Sequence, residues 1–167
     1  DLLGEPDLLR LGEDGYVAGD IKSGSGEEGG EDHPRPKKHY AVQLALYTDI
    51  LERKGLSSER EPFVWDIHGE EVTYALDELT GKNNPTTLWE IYQETLDEAR
   101  KIMSKAGSSN PAYSSKCKLC HWKTECLKTM EKDDDLTLLP ELGRTKRDVL
   151  LNKIQTVQEL ANTSIDH

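Results

Sequence analysis

The 167-residue sequence has no long apolar run, no secretory start and no basic excess, and each shortage excludes a class of protein. No stretch of about 18 apolar residues occurs, so we predict no membrane-spanning helix. The first residues have neither the basic start nor the apolar segment of a signal peptide. The sequence does not begin with methionine, and we expect it to be a fragment or a processed product.

Net charge and cysteine content indicate which kind of nucleic-acid contact and which kind of cysteine site to expect. The chain has 21 basic and 32 acidic residues, a net charge of −11. This charge disfavours a protein that coats nucleic acid through its overall field, but it leaves room for phosphate contacts in one local cleft. The three cysteines are clustered, and an odd, clustered number does not suit a disulfide framework. Thiolates that bind a metal in the cytoplasm fit them better.

Apolar and turn-forming residues predict a strand-rich start, two long helices and a tail of short helices. The predicted strands cover residues 7–11, 16–22, 62–68 and 71–76, and the predicted long helices cover residues 38–53 and 86–105. The predicted buried stripe of the first helix is Val42, Ala45, Leu46, Ile50 and Leu51. Residues 23–36, rich in Gly, Ser, Glu and Pro, are predicted to form a flexible surface loop. This order of elements indicates an α/β domain with a mixed sheet flanked by helices.

Two carboxylates and a lysine are predicted to converge at one edge of this sheet. Asp7 lies in the first strand, and Asp20 and Lys22 end the second. Side chains alternate along a strand, so Asp20 and Lys22 point the same way while Ile21 is predicted to enter the core. Paired carboxylates can hold Mg²⁺ for phosphodiester hydrolysis, and a lysine can orient water or stabilise charge in the transition state. The alternative is a set of solvated residues at a strand end.

The first long helix carries polar residues on one face. Gln43 and Tyr47 are four residues apart and therefore share that face. The basic residues 37–39 lie at its N-terminal end, where free backbone N–H groups favour phosphate. Alternatively, Tyr47 is a core aromatic and Gln43 makes a local hydrogen bond.

Three short segments together resemble the motifs of a known enzyme family. Residues 4–7 (GEPD), 20–22 (DIK) and 43–47 (QLALY) resemble the consecutive G-x-x-D, (D/E)-x-K and Q-x-x-x-Y motifs of RecB-like nucleases in the PD-(D/E)xK superfamily. The resemblance implies a restriction-endonuclease-like fold and a Mg²⁺- or Mn²⁺-dependent deoxyribonuclease, an exonuclease of the RecB type, with DNA as its partner and DNA repair as its setting. It implies Asp7, Asp20 and the Ile21 carbonyl as metal ligands, Lys22 as catalytic residue together with Asp7 and Asp20, and Gln43 and Tyr47 as substrate-binding residues.

The three cysteines follow the spacing Cys117-x2-Cys120-x5-Cys126. Close thiolates favour a zinc ion or an iron–sulfur cluster, and His121 is a candidate fourth ligand for zinc. Three ordinary buried cysteines are the alternative. The triplet resembles the one that follows the core in RecB-like nucleases with an iron–sulfur staple, including CRISPR-associated adaptation nucleases and the AddB type. That resemblance implies a four-iron four-sulfur cluster whose fourth cysteine lies far upstream.

The tail defines the predicted domain division: a nuclease core with the cysteine cluster over residues 1–131, and a helical appendage over residues 135–167. Residues 138–147 resemble a DNA-binding helix–hairpin–helix, with Gly143 as one hairpin glycine and Glu141 where the other would stand. A plain helical packing element is the alternative. With the cysteine triplet, this tail resembles bacterial RecB-family nucleases in which an RNase H-like domain follows.

The resemblance also implies parts that precede the first motif, namely a helix with a His or Glu ligand and the upstream cysteine. We therefore expect an N-terminally truncated chain with weak or no activity, a labile or zinc-substituted cysteine site, and dimerisation through bare sheet surface. Two other functions stay open. One is a non-catalytic nucleic-acid-binding module that keeps the fold, and the other is a redox-sensing cluster protein.

Overall fold

The computed structural model describes residues 2–29, 34–57, 59–81, 84–106 and 109–164. The chain divides into two compact units, Asp1–Gly107 and Ser108–His167. Among the residues described, no helix is both long enough and apolar enough to cross a membrane.

The first unit is a mixed sheet with two long helices and two short hairpins. Its strands are β1 (Leu8–Leu11), β2 (Tyr16–Ile21), β3 (Glu27–Glu28), β4 (Arg35–Pro36), β5 (Phe63–Trp65), β6 (Glu71–Thr73), β7 (Leu79–Thr80) and β8 (Thr86–Thr87), and its helices are α1 (Lys38–Arg53) and α2 (Leu88–Met103). The main sheet has the order β1-β2-β5-β6. In this sheet β2 and β5 pair in parallel, whereas β1–β2 and β5–β6 are antiparallel, and α1 lies between β2 and β5 in the chain, as a parallel connection requires. The predicted mixed α/β fold is confirmed.

Helix α1 has the bounds that the sequence predicts, but its buried face is shifted. Ala41 and Leu44 are fully buried, whereas the predicted core residues Val42 and Leu46 are only half-buried. The shift arises because α1 packs against both β2 and α2, so a wider arc of the helix is covered than one stripe. Asp49 lies within this arc, and its carboxylate accepts a hydrogen bond from the Tyr92 hydroxyl of α2 at 2.6 Å.

Helix α2 begins two residues later than predicted, because Thr87 caps it. The Thr87 hydroxyl accepts a hydrogen bond from the Glu90 amide at 3.0 Å, and the Glu90 carboxylate accepts one from the Thr87 amide at 2.8 Å. This reciprocal capping box satisfies two amides that a helix start leaves free. Leu88, Trp89 and Tyr92 then face the core.

In β2 the buried face and the exposed face are the reverse of those predicted. Ile21 does not enter the core: its side chain is 57 % exposed, and its cross-strand neighbour Trp65 is 51 % exposed. Asp20 is the buried residue, at 3 % exposure. Side chains alternate along β2, so Asp20 shares the face of Ala18, which belongs to the core. The prediction followed the general rule that an apolar residue is buried in preference to a charged one.

The segment predicted as a loop over residues 23–36 contains two short strands. Within it, β3 and β4 form a two-residue antiparallel pair, Glu27 opposite Pro36 and Glu28 opposite Arg35. Residues 30–33 lie outside the described part of the chain, so the prediction of a flexible loop is not tested there.

The second unit consists of short helices, which the sequence predicted only for its part after residue 135. They are a 3₁₀ turn at Ser115–Leu119, α3 (Lys123–Lys132), a 3₁₀ turn at Leu136–Leu138, α4 (Arg144–Leu150) and α5 (Val157–Ala161). The buried Arg147 guanidinium donates to the Pro111 carbonyl at 2.7 Å and to the Asp135 carboxylate at 3.1 Å. These bonds tie α4 to the segments before and after α3. The predicted division between residues 131 and 135 stays a prediction.

Candidate active site

Asp7 and Asp20 converge on one backbone amide. The Ile21 N–H donates to Asp7 Oδ2 at 3.0 Å and to Asp20 Oδ1 at 2.9 Å. The hairpin explains the approach, because Leu8 pairs with Gly19 and therefore brings the preceding Asp7 opposite Asp20. The predicted meeting of these two carboxylates is what the structure shows.

The two carboxyl groups influence each other's proton affinity. Burial raises the pKa of Asp20, and contact with Asp7 raises it further, although Lys22 acts in the opposite direction. The pKa of Asp7 is lowered by its hydrogen bond with Asp20 and by the Ile21 N–H. Two carboxylates this close favour sharing a proton over both being ionised. A cation placed between them would remove that conflict.

Lys22 links these carboxylates to helix α1. Its ammonium donates to Asp20 Oδ2 at 2.7 Å and to Gln43 Oε1 at 2.7 Å. The Lys22 side chain is 17 % exposed, so the ammonium is partly shielded from water. The predicted common direction of Asp20 and Lys22 is confirmed, and the alternative of independent solvated residues is wrong for this pair.

Gln43 and Tyr47 continue the same chain of hydrogen bonds. Gln43 Nε2 donates to the Tyr47 hydroxyl at 2.7 Å. Tyr47 is at the same time a buried core residue, so the structural role that the sequence left open is present together with the hydrogen bond from Gln43. The amide of Gln43 is thereby held with its oxygen toward the lysine.

Gly4 connects the first motif to the third. A Cβ atom at Gly4 would lie 2.7 Å from two carbons of the Tyr47 ring, which is closer than side-chain contacts allow. Only glycine therefore lets the chain run across this ring before it reaches Asp7. The three segments that are separate in the sequence thus meet in one place.

The loop that follows Lys22 is held by a residue that the sequence analysis missed. Asp66, buried at the end of β5, accepts hydrogen bonds from the amides of Gly26 at 3.2 Å, His68 at 2.8 Å and Glu70 at 3.2 Å. Burial acts to raise the pKa of Asp66, but these three donors outweigh it and lower the pKa. Asp followed closely by glycine is typical of a turn, and that signal was hidden inside the predicted strand 62–68.

Tyr40 and Tyr74 complete the surroundings of this loop. The Tyr74 hydroxyl donates to the Gly26 carbonyl, and burial raises the pKa of Tyr74, so it stays neutral. The Tyr40 ring lies beside Lys22, with 5.1 Å between its centroid and the ammonium nitrogen. Sequence analysis assigned no role to Tyr74, because its neighbours along the chain give no sign of the loop that it contacts.

The cysteine cluster lies in the second unit. Cys117 and Cys126 are half-buried, Cys120 is exposed, and all three are free thiols. The alternative of three buried core cysteines is therefore wrong. Across the described residues, no three or more His, Cys, Asp or Glu side chains are grouped so as to hold a metal ion. The iron–sulfur or zinc site stays a prediction.

In the hairpin of the tail, a residue other than glycine adopts a backbone conformation that favours glycine. Glu141 has φ of 63°, in the left-handed region that favours glycine. Two of the nearby cations are engaged: Lys146 donates to the Glu141 carbonyl at 3.0 Å and Arg144 to the Asn110 carbonyl at 3.1 Å. A DNA-binding role for this hairpin stays a prediction.

The chemistry of the Asp7–Asp20 pair fits a hard divalent cation. Mg²⁺ and Mn²⁺ prefer carboxylate and carbonyl oxygens, and Mg²⁺ is commonly held by one or two carboxylates together with water and substrate phosphate. Asp7 and Asp20 supply two such carboxylates, and their mutual repulsion favours a cation. The Ile21 carbonyl stays a predicted third ligand.

Comparison with known proteins gives one match. The family model described as the PD-(D/E)XK nuclease superfamily matches residues 1–127. Searches of curated proteins and of solved structures found no significant match.

Proposed function

The chain belongs to the PD-(D/E)XK nuclease superfamily, and we propose that it hydrolyses DNA phosphodiester bonds at the site formed by Asp7, Asp20 and Lys22. The observation that carries this proposal is the position of the Lys22 ammonium, 2.7 Å from both Asp20 Oδ2 and Gln43 Oε1. A cation fixed beside two carboxylates matches the needs of phosphodiester hydrolysis: oxygen ligands for a metal and a positive group for the developing charge.

Asp7 and Asp20 would hold Mg²⁺ or Mn²⁺, with the Ile21 carbonyl as a further ligand. Such an ion, when bound, polarises the phosphoryl oxygen and lowers the pKa of a water molecule. The Lys22 ammonium would donate to the phosphate or to the attacking water, because an ammonium has three donors and two are used by Asp20 and Gln43. Partial burial strengthens these contacts by excluding water.

Gln43 and Tyr47 orient this lysine. The Tyr47 hydroxyl accepts from the amide nitrogen of Gln43 and so directs the amide oxygen toward Lys22. We propose that the same two residues help to position the substrate strand, as the Q-x-x-x-Y resemblance implies. A non-catalytic binding module explains this arrangement less well, because binding alone does not require a lysine held between the Asp20 carboxylate and the Gln43 amide.

We further propose that the protein is a RecB-type exonuclease of the cytoplasm that acts on DNA ends. This proposal is supported by the order and spacing of the three motifs, all of which meet at one site. A cleavage assay on the full-length protein tests it, using linear and closed circular DNA with Mg²⁺ or Mn²⁺. An exonuclease degrades the linear DNA and leaves the circle intact. Cleavage of neither substrate in either metal contradicts the nuclease proposal, and cutting of the circle contradicts the exonuclease assignment alone.

We also propose that Cys117, Cys120 and Cys126 bind an iron–sulfur cluster or, in its place, zinc. Three free thiols so close in sequence are soft ligands that suit both. Elemental analysis and visible absorption of protein purified without oxygen test this. Replacement of Cys120 by serine should lower the metal content, whereas Ser115→Ala, an exposed position outside the triplet, should leave it unchanged. Equal metal content in wild type and Cys120→Ser contradicts the proposal.

A further inference from the structure

The ammonium groups of two lysines lie close to the Tyr40 ring. Lys22 Nζ lies 5.1 Å from the ring centroid, and Lys37 Nζ lies 5.3 Å from it. Both distances are within the range in which an aromatic ring attracts a cation. Lys22 follows β2 and Lys37 precedes α1, so Tyr40 fixes the position of one lysine relative to the other across two elements.

Lys37 is also fixed by the loop that follows Lys22. Its ammonium donates to the Ser25 carbonyl at 2.7 Å. Gly24 lies close to both partners, since a Cβ there would be 3.5 Å from the Tyr40 hydroxyl and 4.0 Å from Lys37 Nζ. Loop, ring and lysine thus form one packed group beside Lys22.

The charge of Lys37 is not neutralised within the described part of the chain. No carboxylate there forms an ion pair with it, whereas Lys22 has Asp20. The Ser25 bond uses one of its three donors. A half-buried ammonium with free donors and no counter-ion is suited to an anion supplied by a ligand.

We infer that Lys37 binds the phosphate next to the scissile phosphate, and that Tyr40 is the positioning residue that sets the spacing between Lys37 and Lys22. The inference rests on the proposed function, because it places one phosphate relative to the one that is cleaved. A strand presents a phosphate at every nucleotide, so two cations fixed side by side can contact consecutive phosphates. With a net charge of −11, the protein depends on such local cations for its phosphate contacts.

Removal of single phosphate charges from the substrate tests the assignment. The cleavage position is first mapped with wild-type protein and Mg²⁺. Binding of short single-stranded DNA is then measured by fluorescence anisotropy in EDTA, with one uncharged methylphosphonate linkage at each successive position. We expect the linkage beside the cleavage position to weaken binding to wild type by roughly threefold to tenfold. Lys37→Met should bind more weakly and lose sensitivity to that linkage.

Matched variants distinguish the contact between Lys37 and the phosphate from a general effect of positive charge on DNA binding. Lys54→Met removes an exposed lysine at the opposite end of α1, and it should keep the wild-type sensitivity to the linkage. Tyr40→Phe keeps the ring and should behave as wild type. Tyr40→Leu removes the ring, so sensitivity to the linkage should fall and kcat should decrease because Lys22 is less well held.

Four results would overturn one of these assignments or the proposed function. If Lys37→Met stays as sensitive as wild type to every neutral linkage, Lys37 does not bind the neighbouring phosphate. If Tyr40→Leu keeps both the sensitivity and kcat, Tyr40 is not a positioning residue. Binding with the expected pattern but without cleavage in Mg²⁺ or Mn²⁺ overturns the proposed function alone, and absence of any binding overturns this inference.

Discussion

Lys22 and Gln43 are joined by a 2.7 Å hydrogen bond although 21 residues separate them in the chain. Lys22 lies at the end of β2 and Gln43 in the second turn of α1, so this bond connects the sheet edge to the helix. The ammonium is held from two sides, by the Asp20 carboxylate and by the Gln43 amide. The position of the lysine therefore depends on the packing of α1 against β2.

Loss of the Gln43 amide should lower the cleavage rate without unfolding the protein. A hydrogen bond to a charged group contributes about 1.5–3 kcal/mol. If that contribution is needed in the transition state, Gln43→Ala lowers kcat by about tenfold to a hundredfold. Steady-state cleavage kinetics measure this, with Gln93→Ala at an exposed position of α2 as the control. Equal kcat values in wild type and Gln43→Ala would show that the Gln43 contact has no role in cleavage.

Asp66, which holds the loop after Lys22, should make the free energy of unfolding depend on pH. The pKa of Asp66 is lower in the folded protein than its ordinary value of 3.8, because its three backbone donors outweigh the effect of burial. A lowered folded pKa means that the ionised carboxylate stabilises the fold above the ordinary value. This contribution is lost as the pH falls through the folded pKa.

Asp66→Asn should therefore lower the free energy of unfolding at pH 7, and the difference from wild type should shrink below about pH 4. Urea denaturation at several pH values measures both. Asp97→Asn, at an exposed position of α2, is the control and should change little. A difference between wild type and Asp66→Asn that is constant from pH 7 to pH 3 contradicts the role given to the three amide contacts.

A glycine at position 141 should stabilise the second unit. Glu141 has φ of 63°, a conformation that costs a residue with a Cβ atom about 1–2 kcal/mol. Part of this gain is offset by the greater backbone freedom of glycine when unfolded, so we expect Glu141→Gly to stabilise by about 0.5–1 kcal/mol. Thermal or urea unfolding measures it. Glu131→Gly, within helix α3, should destabilise instead, and destabilisation by Glu141→Gly contradicts the assigned backbone conformation.

Local patterns were sufficient to predict the two long helices and the four strands of the main sheet, but not the short pairs β3–β4 and β7–β8 or helix α3. Apolar spacing placed α1 at its observed bounds, and strand alternation correctly aligned Asp20 with Lys22. The burial of Asp20 in place of Ile21 was not predictable in this way, because it depends on which face of β2 meets α1. The long-range contacts of Asp66 and Tyr74 with Gly26 were not predictable either, since those residues are distant in sequence and each resembles an ordinary strand or turn residue.

We assign to the Lys22 ammonium a chemical role at the Asp7–Asp20 pair. Lys22→Met tests this role, because methionine keeps a long unbranched side chain and removes the charge. The measurement is the single-turnover cleavage rate of DNA with Mg²⁺, with circular dichroism to verify folding and Lys54→Met at the exposed end of α1 as the control. Loss of a group that stabilises transition-state charge costs about 10²–10³ in rate, so we expect folded Lys22→Met to cleave at least about a hundredfold more slowly while Lys54→Met is unchanged. Cleavage by folded Lys22→Met at the wild-type rate would contradict the assignment of this site.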